Sequence, residues 1–434
     1  MPILFSDVTV VPMDGAPQVL EHAYVAVEGT KIASVGTEPP EGTFDRVVDG
    51  AGKVLLPGFV NAHTHLPMTL MRGYGGGCDL HTWLNQYIFP AEARLDSRAV
   101  AAGAGLGLAE MIASGVTCVA DMYMHTGTIA EQILEAGISA NLSCGGVYFG
   151  APEDFSPETC GDCRNQAALT EEWHGAGAGQ ILVDASVHGE YTSNPPLWRW
   201  MAEYAAEHRL GMHVHVSETQ SEHQASLERW GKTPIQALDG CGVWDCGRSL
   251  AAHCVYTTEE DWALMAEKGI SCVHNPWSNL KLGSGVAPIP AMMRAGVNVA
   301  LGTDGMSSHN SADLFSDIKL AAVLHNGVER DPMAVNAWAA LEMATVNGAR
   351  ALGRDTGVIA PGKTADLILV DLSAPNLIPC HDPVEDLVFS AHGSNVEMNM
   401  ARGQVIYEKG SFLTLDLERV RWEVEHYALP LIFG

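Results

Sequence analysis

Two pairs of histidines are placed where they could bind a metal ion. His63 and His65 end one β-branched run of the chain, and His213 and His215 lie in a later one. Side chains two residues apart on a strand point to the same face, so each pair can present two imidazoles to one ion. For the first pair taken alone, two polar loop histidines are the alternative interpretation.

Three further side chains with acid–base chemistry lie at the ends of other β-branched runs. Glu218 follows the run that carries His215, His253 ends the next run, and Asp304 ends the last. Three neutral imidazoles and one carboxylate form a site for a first-row divalent ion, Zn²⁺ first and Fe²⁺ second, with one position left for water. Such an ion lowers the pKa of its water to about 7. The remaining histidine and glutamate would then transfer protons.

One metal ion is expected rather than two. A second, bridging ion would usually need a further ligand, such as a modified lysine near the fourth strand. No lysine lies in residues 181–188, which form that strand.

The elements that must position these residues are alternating strands and helices. Eight strand-like runs are separated by amphipathic helical segments, a pattern that predicts a (β/α)₈ barrel of the TIM type over residues 57–354. In such a barrel the active site lies at the carboxyl ends of the strands. An open doubly wound sheet is the alternative, but no G-x-G-x-x-G follows a first strand. The eight runs are residues 54–63, 116–122, 140–147, 181–188, 211–217, 249–254, 271–275 and 297–303.

The two ends of the chain have a different pattern. Residues 1–56 and 355–434 contain short strands divided by turn residues, and neither end is long enough to bury a core alone. We expect them to pair into one small β-sandwich, with a helix near 417–426. Within the barrel, Thr257 and Glu260 have the spacing of a helix capping box.

Composition limits the ligands and the compartment. The 434 residues include 24 Lys+Arg and 52 Asp+Glu, a net charge of −28 that disfavours nucleic acid and acidic membrane surfaces. A small neutral or cationic ligand is favoured. No apolar stretch is long enough to cross a membrane and no signal peptide begins the chain, so we expect a soluble, cytoplasmic protein. Its ten cysteines should then be reduced, and Cys160 and Cys163 lack the second pair that a zinc ribbon needs.

The chain is identified by its motifs as resembling the amidohydrolase superfamily. The resemblance is to the branch that holds methylthioadenosine/S-adenosylhomocysteine deaminases and the s-triazine chlorohydrolases. The matching motifs span nearly the whole chain. They are P-G-F-V-N-A-H-T-H at 57–65, M-R-G at 71–73, W-L at 83–84, P-x-E at 90–92, H-x-x-E-T at 215–219, A-H-C at 252–254, N-P-W-S-N-L-K-L-x-S-G at 275–285, G-T-D-G-x-x-S-x-N at 302–310 and G-K-x-A-D-L at 362–367.

The resemblance implies a set of metal ligands and proton-transfer groups. The implied ligands are His63, His65, His215 and Asp304. Glu218 would protonate the ring nitrogen beside the reacting carbon, and His253 would orient the water. Asp304 would also accept the proton of that water as hydroxide at the metal attacks, and ammonia would leave. We interpret His213 as a packed polar residue of the barrel interior.

Substrate contacts follow from the same resemblance. Trp83 would line a nucleoside pocket, Glu92 would accept hydrogen bonds from ribose hydroxyls, His188 would reach a purine nitrogen, and Ser308 would line the base pocket. Arg164 is the single candidate near the position where homocysteine-binding members place arginines.

The chain departs from the family pattern at two further places. His81 stands where an acid is common, and Glu190 stands where small residues are common. An acid at position 190 could favour a cationic or amino-rich ring.

The function that these residues favour is metal-dependent hydrolytic deamination of an aminated purine nucleoside. Adenosine, 5′-methylthioadenosine and S-adenosylhomocysteine are the types considered, although the missing arginines put the last in doubt. The second hypothesis is deamination or dechlorination of another N-heterocycle, such as a pterin, guanine or an s-triazine. A silent metal-binding scaffold is a third, which the proton-transfer residues disfavour. The family is often dimeric or larger, so a homo-oligomer is expected.

Overall fold

A computed structural model describes residues 2–434 and shows two β-sheets surrounded by helices. Eighteen strands are present among the described residues. They are β1 Ile3–Val10, β2 Leu20–Glu28, β3 Lys31–Gly36, β4 Arg46–Asp49, β5 Lys53–Pro57, β6 Phe59–His65, β7 Val116–Met122, β8 Ser139–Ser143, β9 Ile181–Gly189, β10 Gly211–Val216, β11 Ser249–His253, β12 Ile270–His274, β13 Val299–Leu301, β14 Asp304–Gly305, β15 Leu367–Asp371, β16 Val396–Ala401, β17 Gln404–Glu408 and β18 Ser411–Phe412.

One of the two sheets contains nine parallel strands in the order β13-β12-β11-β10-β9-β8-β7-β6-β14. Its outermost strands, β13 and β14, are separated in the chain only by Gly302 and Thr303. The two edges of the sheet must therefore come together, which curls the sheet in the manner of a TIM-type barrel and is consistent with the predicted architecture. Strands β7, β8, β11 and β12 are buried along their whole length, as a parallel sheet covered on both faces requires.

Helices connect the barrel strands and cover their outer side. Eighteen helices are assigned in residues 2–434: α1 Leu80–Trp83, α2 Phe89–Glu92, α3 Ser97–Ala113, α4 Thr126–Ala136, α5 Gly161–Trp173, α6 Ala176–Gly179, α7 Pro195–His208, α8 Gln220–Trp230, α9 Pro234–Asp239, α10 Glu259–Lys268, α11 Pro276–Lys281, α12 Ile289–Arg294, α13 Leu314–Glu329, α14 Ala337–Ala344, α15 Val346–Leu352, α16 Pro383–Phe389, α17 Leu417–Glu423 and α18 Leu429–Phe433. Short 3₁₀ turns span Leu66–Met71, Pro152–Asp154, Glu190–Thr192 and Gly393–Asn395, and π turns span Leu84–Ile88 and Val424–Ala428.

The second sheet is built from both ends of the chain. Its order is β18-β17-β16-β15-β5-β1-β2-β3, and β4 branches from β1. The two ends meet where β5 pairs antiparallel with β15, with Leu55 opposite Leu369. The connectivity is that of one mixed sheet, so the two packed layers of a sandwich stay a prediction.

Within residues 2–434, no helix is both long and apolar enough to cross a membrane.

Candidate active site

Four side chains converge at the carboxyl ends of strands β6 and β10 and at the start of β14. His63 and His65 lie on β6, and Asp304 begins β14, which pairs in parallel with β6 so that Asp304 stands opposite Thr64. The Oδ1 atom of Asp304 lies 3.1 Å from His65 Nε2 and 3.4 Å from His63 Nε2. His215 Nε2 lies 3.3 Å from His65 Nε2. Three strands therefore bring three imidazole nitrogens and one carboxylate oxygen to one point.

Each of these histidines has its other ring nitrogen engaged, so that Nε2 faces the centre. His65 Nδ1 donates to the carbonyl of Met122 at 2.5 Å, and His215 Nδ1 donates to the carbonyl of His188 at 2.7 Å. His63 Nδ1 lies 2.8 Å from His213 Nε2. This is the arrangement in which metal-binding histidines fix their tautomer.

A divalent ion fits these donors. The Nε2 atom of His63 is buried and has no hydrogen-bond partner, although it faces a carboxylate. Burial lowers the pKa of both His63 and His215 well below the ordinary value, which keeps these imidazoles neutral and able to donate a lone pair. Three neutral imidazoles with one carboxylate match the ligand chemistry of zinc and similar ions.

The pKa of His65 behaves differently. Burial acts to lower it, but the hydrogen bond and the charge of Asp304 outweigh burial and raise the pKa of His65 to about 9. The pKa of Asp304 falls well below its ordinary range because its contacts with His63 and His65 outweigh the opposing effect of burial. A proton is therefore held at this pair, and a bound cation would displace it.

Asp304 is oriented by two hydroxyl groups. Its Oδ2 atom accepts hydrogen bonds from Ser278 Oγ at 2.6 Å and Ser308 Oγ at 2.9 Å, which leaves Oδ1 for the centre. The backbone of Asp304 is left-handed, with φ of +58°, and His253 has φ of +74°. Non-glycine residues in this region are strained and concentrate at functional sites.

Two groups suited to proton transfer lie beside the cluster. His253 Nδ1 is 2.8 Å from Asn279 Oδ1, so the ring donates there and its Nε2 atom faces the cluster. That Nε2 atom lies 3.8 Å from Glu218 Oε2. Burial raises the pKa of Glu218 above its ordinary value although His253 opposes the shift. A carboxyl group with a raised pKa is suited to delivering a proton near neutral pH.

A cavity of about 1050 Å³ opens over this cluster. Among its walls are the predicted substrate-contacting residues Trp83, Glu92, His188 and Ser308. Glu92 accepts a 2.6 Å hydrogen bond from the Tyr123 hydroxyl, and burial raises the pKa of Glu92. The cavity is at the upper end of the size range of small-molecule sites.

The orientation of Trp83 and the charge of His188 follow from their surroundings. Trp83 Nε1 donates to the carbonyl of Tyr74 at 3.1 Å, which fixes the indole. Burial lowers the pKa of His188 to about 4, so this ring is neutral at pH 7.

Comparison with known proteins agrees with this geometry. A model of the amidohydrolase family matches residues 54–406. The chain belongs to the amidohydrolase family.

Several relatives and solved structures that are similar to this amidohydrolase are named as nucleoside deaminases. It is 41% identical over 436 residues to a 5-methylthioadenosine/S-adenosylhomocysteine deaminase of Caldanaerobacter subterraneus subsp. tengcongensis, covering 100% of this chain and 99% of the relative. It is 40% identical to a 5′-deoxyadenosine deaminase of Methanothermobacter thermautotrophicus, with 95% of each chain covered. A zinc-bound adenosine deaminase from Xanthomonas campestris superposes with a TM-score of 0.92 at 32% identity, covering 99% of this chain and 98% of the other.

Of three further residues singled out in the sequence, two lie away from the cavity and one lines it. Arg164 is exposed, donates to the carbonyl of Glu158 at 3.2 Å, and does not line the cavity of this amidohydrolase. Glu190 is buried against Arg229 at 2.6 Å, so its charge is compensated and cannot select a cationic ring. His81 lies in the cavity wall, 3.3 Å from the Asn85 side chain.

Cys160 and Cys163 belong to neither of the two groups of side chains, within residues 2–434, that could hold a metal ion. Both cysteines are free and buried.

Three positioning residues of this amidohydrolase were not predicted as such. His213 contacts the ring of His63, and Asn279 holds His253. Glu222 accepts the backbone N–H groups of Ser217 and Glu218, both at 2.8 Å, and so fixes the loop that carries the Glu218 carboxyl. Each had a signal in the sequence that did not specify its contact: His213 belongs to a histidine pair, Asn279 lies in the motif at 275–285, and Glu222 stands three residues after the helix-capping Thr219.

Proposed function

We propose that this amidohydrolase is a metal-dependent hydrolytic deaminase of adenosine-type purine nucleosides that releases ammonia. The observation that carries the proposal is the buried pair of Glu218 and His253, which lies beside three imidazoles and a carboxylate at the floor of one large cavity. The names of the relatives, which are deaminases of 5-methylthioadenosine, S-adenosylhomocysteine and 5′-deoxyadenosine, support the same chemistry.

The ion would be held by His63, His65, His215 and Asp304. We infer a single ion, with Zn²⁺ favoured by the zinc-containing structural relative and Fe²⁺ as the alternative. When bound, such an ion acts as a Lewis acid and lowers the pKa of water at the site.

The chain's own residues would then handle the protons. Glu218, whose pKa is raised by burial, donates a proton to the purine ring nitrogen beside the reacting carbon. His253, whose ring is fixed by Asn279, accepts a hydrogen bond from the attacking water and orients it. The carboxylate of Asp304 takes the proton that this water loses as its oxygen bonds to carbon. The amino group takes the proton held by Asp304 and leaves as ammonia as the carbon–nitrogen bond breaks. The carbon–oxygen double bond forms as the hydroxyl proton returns to Glu218, which restores the acid.

The substrate would lie along the cavity from this floor. We propose that Glu92 accepts hydrogen bonds from the ribose hydroxyls, that Trp83 lines the ribose pocket, and that His188 reaches a purine nitrogen. The hydrogen bond from Tyr123 holds the Glu92 carboxylate in place, which supports this assignment. Ser308 lines the cavity but its hydroxyl donates to Asp304, so its contact with the base comes second to orienting that carboxylate.

We also propose the domain organisation expected from the sequence. Residues 57–354 form the barrel, and residues 1–56 and 355–434 form a sandwich of two layers. One apolar cluster drawn from both ends, including Phe5, Val25 and Leu369, supports this division. A homo-oligomer in the cytoplasm without nucleic acid partners stays a prediction.

The test is ammonia release by the zinc-loaded enzyme. Adenosine, 5′-methylthioadenosine and S-adenosylhomocysteine are assayed beside guanine, a pterin and melamine. We expect Glu218→Gln to retain the metal and to lose at least about 10²-fold in kcat, the scale of a lost acid–base group. The matched control is Glu228→Gln, which makes the same change at an exposed position of the helix that follows Glu218. Turnover of free bases alone, or an unimpaired Glu218→Gln variant, would contradict the proposal.

A further inference from the structure

The cavity extends beyond the residues assigned so far, along one face of α5 (Gly161–Trp173). The residues of α5 that line it recur every three or four positions, so they form a single strip of the helix. They are Asp162, Asn165, Ala168, Leu169, Glu172 and Trp173.

This strip continues the wall that begins at Glu92. The Tyr123 hydroxyl bonds to Glu92, and the residues directly after it, 124–128, also line the cavity. This segment packs closely against α5 at Gly127. A side chain at that position would place its Cβ only 3.2 Å from Trp173 Nε1. With the base at the metal centre and the ribose at Glu92, the α5 strip provides a wall beyond the ribose for a substituent on the 5′ carbon.

The ionisable side chains of the strip itself are acidic. Among residues 2–434, no lysine or arginine lines the cavity, whereas Asp162 and Glu172 do. Arg164 lies on α5 but outside the cavity, with its guanidinium on the carbonyl of Glu158. A ligand carboxylate placed here would meet carboxylates and no cation, which is costly once water is displaced.

Apolar side chains form much of the same wall. Leu169 is buried, Trp173 is half-buried, and Phe149 is 80% exposed at the rim of the cavity. Met124, 39% exposed, faces the cavity from the loop after β7. These surfaces suit an alkyl or thioether chain.

We propose that the α5 strip is the subsite for the 5′ substituent and that it accepts apolar substituents, such as a methylthio group, but discriminates against substituents that carry a carboxylate. The inference rests on the proposed function and narrows it. It sets this chain apart from relatives named for both 5-methylthioadenosine and S-adenosylhomocysteine.

Three nucleosides test the role of the carboxylate in the zinc-loaded enzyme. These are 5′-methylthioadenosine, S-adenosylhomocysteine and 5′-(3-aminopropylthio)-5′-deoxyadenosine, which is S-adenosylhomocysteine without its carboxylate. We expect kcat/KM for S-adenosylhomocysteine to be at least about tenfold below that of methylthioadenosine, and the decarboxylated analogue to recover most of the difference. Equal kcat/KM values for the first two, or an analogue as poor as S-adenosylhomocysteine, would overturn the inference.

Two adjacent glutamates provide a matched pair of variants. Glu172→Arg places a cation in the cavity, and Glu171→Arg makes the same change on a neighbouring exposed residue outside it. We expect Glu172→Arg to raise the ratio of S-adenosylhomocysteine to methylthioadenosine kcat/KM by at least about tenfold, and Glu171→Arg to leave the ratio unaltered. An equal effect of both variants, or a fall in the ratio for Arg164→Ala, would assign the selectivity to general charge or to Arg164 instead.

Binding separates this inference from the proposed function. Calorimetry with the Glu218→Gln variant measures affinity for the same three nucleosides without turnover. Tighter binding of methylthioadenosine and the analogue than of S-adenosylhomocysteine supports the subsite even if the wild-type enzyme releases no ammonia, a result that would refute the deaminase alone. Ammonia release with equal affinities would refute the subsite alone.

Discussion

The contact between His213 and His63 leads to a test of how the metal centre is held. His213 Nε2 lies 2.8 Å from His63 Nδ1, and His213 Nδ1 lies 3.3 Å from Ser143 Oγ. For His63 Nε2 to bind a metal, the proton of His63 must be on Nδ1, and that N–H group must donate a hydrogen bond to His213 Nε2. Replacing His213 with leucine removes that acceptor in a buried site.

The size of the effect follows from the unpaired N–H group. An unsatisfied buried donor costs about 1–3 kcal/mol, which corresponds to a loss of about 5- to 150-fold in metal affinity. Replacing a residue that hydrogen-bonds to a metal-binding side chain usually weakens metal binding by about 10- to 100-fold, which lies in the same range. We therefore expect His213→Leu to weaken zinc binding by about 10- to 100-fold and kcat at saturating zinc to fall less than affinity.

Competition with a chromophoric chelator measures this affinity, and two variants control it. His213→Gln places an amide oxygen near the position of Nε2, so it should restore most of the affinity. His325→Leu removes a comparable buried contact, 3.0 Å between His325 Nε2 and His274 Nε2, in a pair that excludes the implied ligands. It should lower stability and leave zinc affinity unaltered. Wild-type affinity in a folded His213→Leu variant would refute the reasoning, as would equal losses in His213→Leu and His325→Leu.

Four other outcomes are expected. Tyr123→Phe removes the 2.6 Å hydrogen bond to Glu92 and should lower kcat/KM for nucleosides about tenfold, mainly through KM; an unaltered KM would contradict the ribose assignment. A strong chelator should abolish turnover and lower the melting temperature, and added zinc should restore both. A metal ion at 100 times its Kd stabilises the folded protein by about 2.7 kcal/mol, which removal of the ion would cost. Turnover that survives complete metal removal would contradict the metal requirement. Burial lowers the pKa of His325 from 6.5 to about 4, so between these pH values the unfolded chain binds a proton that the folded chain does not. The unfolding free energy of the metal-free protein should therefore fall as pH decreases from 6.5 to about 4, by up to about 1.4 kcal/mol per pH unit. An equally steep pH dependence in His325→Leu would contradict this. Arg229→Ala leaves the buried Glu190 without its ion-pair partner and should cost about 3 kcal/mol in urea unfolding, whereas adding Glu190→Gln should recover part of the loss; a cost below about 1 kcal/mol would show that the pair contributes little.

The barrel and the convergence of the histidines were predictable because both depend on short-range patterns. Alternation of strands and helices predicts the parallel sheet, and a parallel sheet brings the strand ends to one edge. The motif residues His63, His65 and His215 therefore had to meet once the topology was known. Predictions that needed exact local geometry were less accurate: the third strand ends at Ser143 rather than near 147. The capping box is formed by Thr258 and Asp261, one residue later than expected.

What the sequence did not predict is where a side chain points after it leaves its element. Arg164 and Asp162 are two residues apart on α5, yet only Asp162 lines the cavity, because residues two apart on a helix face different sides. Glu190 forms an ion pair with Arg229, which is 39 residues away in the chain, and this pairing depends on how the intervening segments pack. The proposed substrate preference of this amidohydrolase depends on such side-chain directions and long-range pairings. The family motifs fix the chemistry at the floor of the cavity, whereas the charge met by the far end of the substrate is set by the rotation of α5, for which the motifs contain no signal.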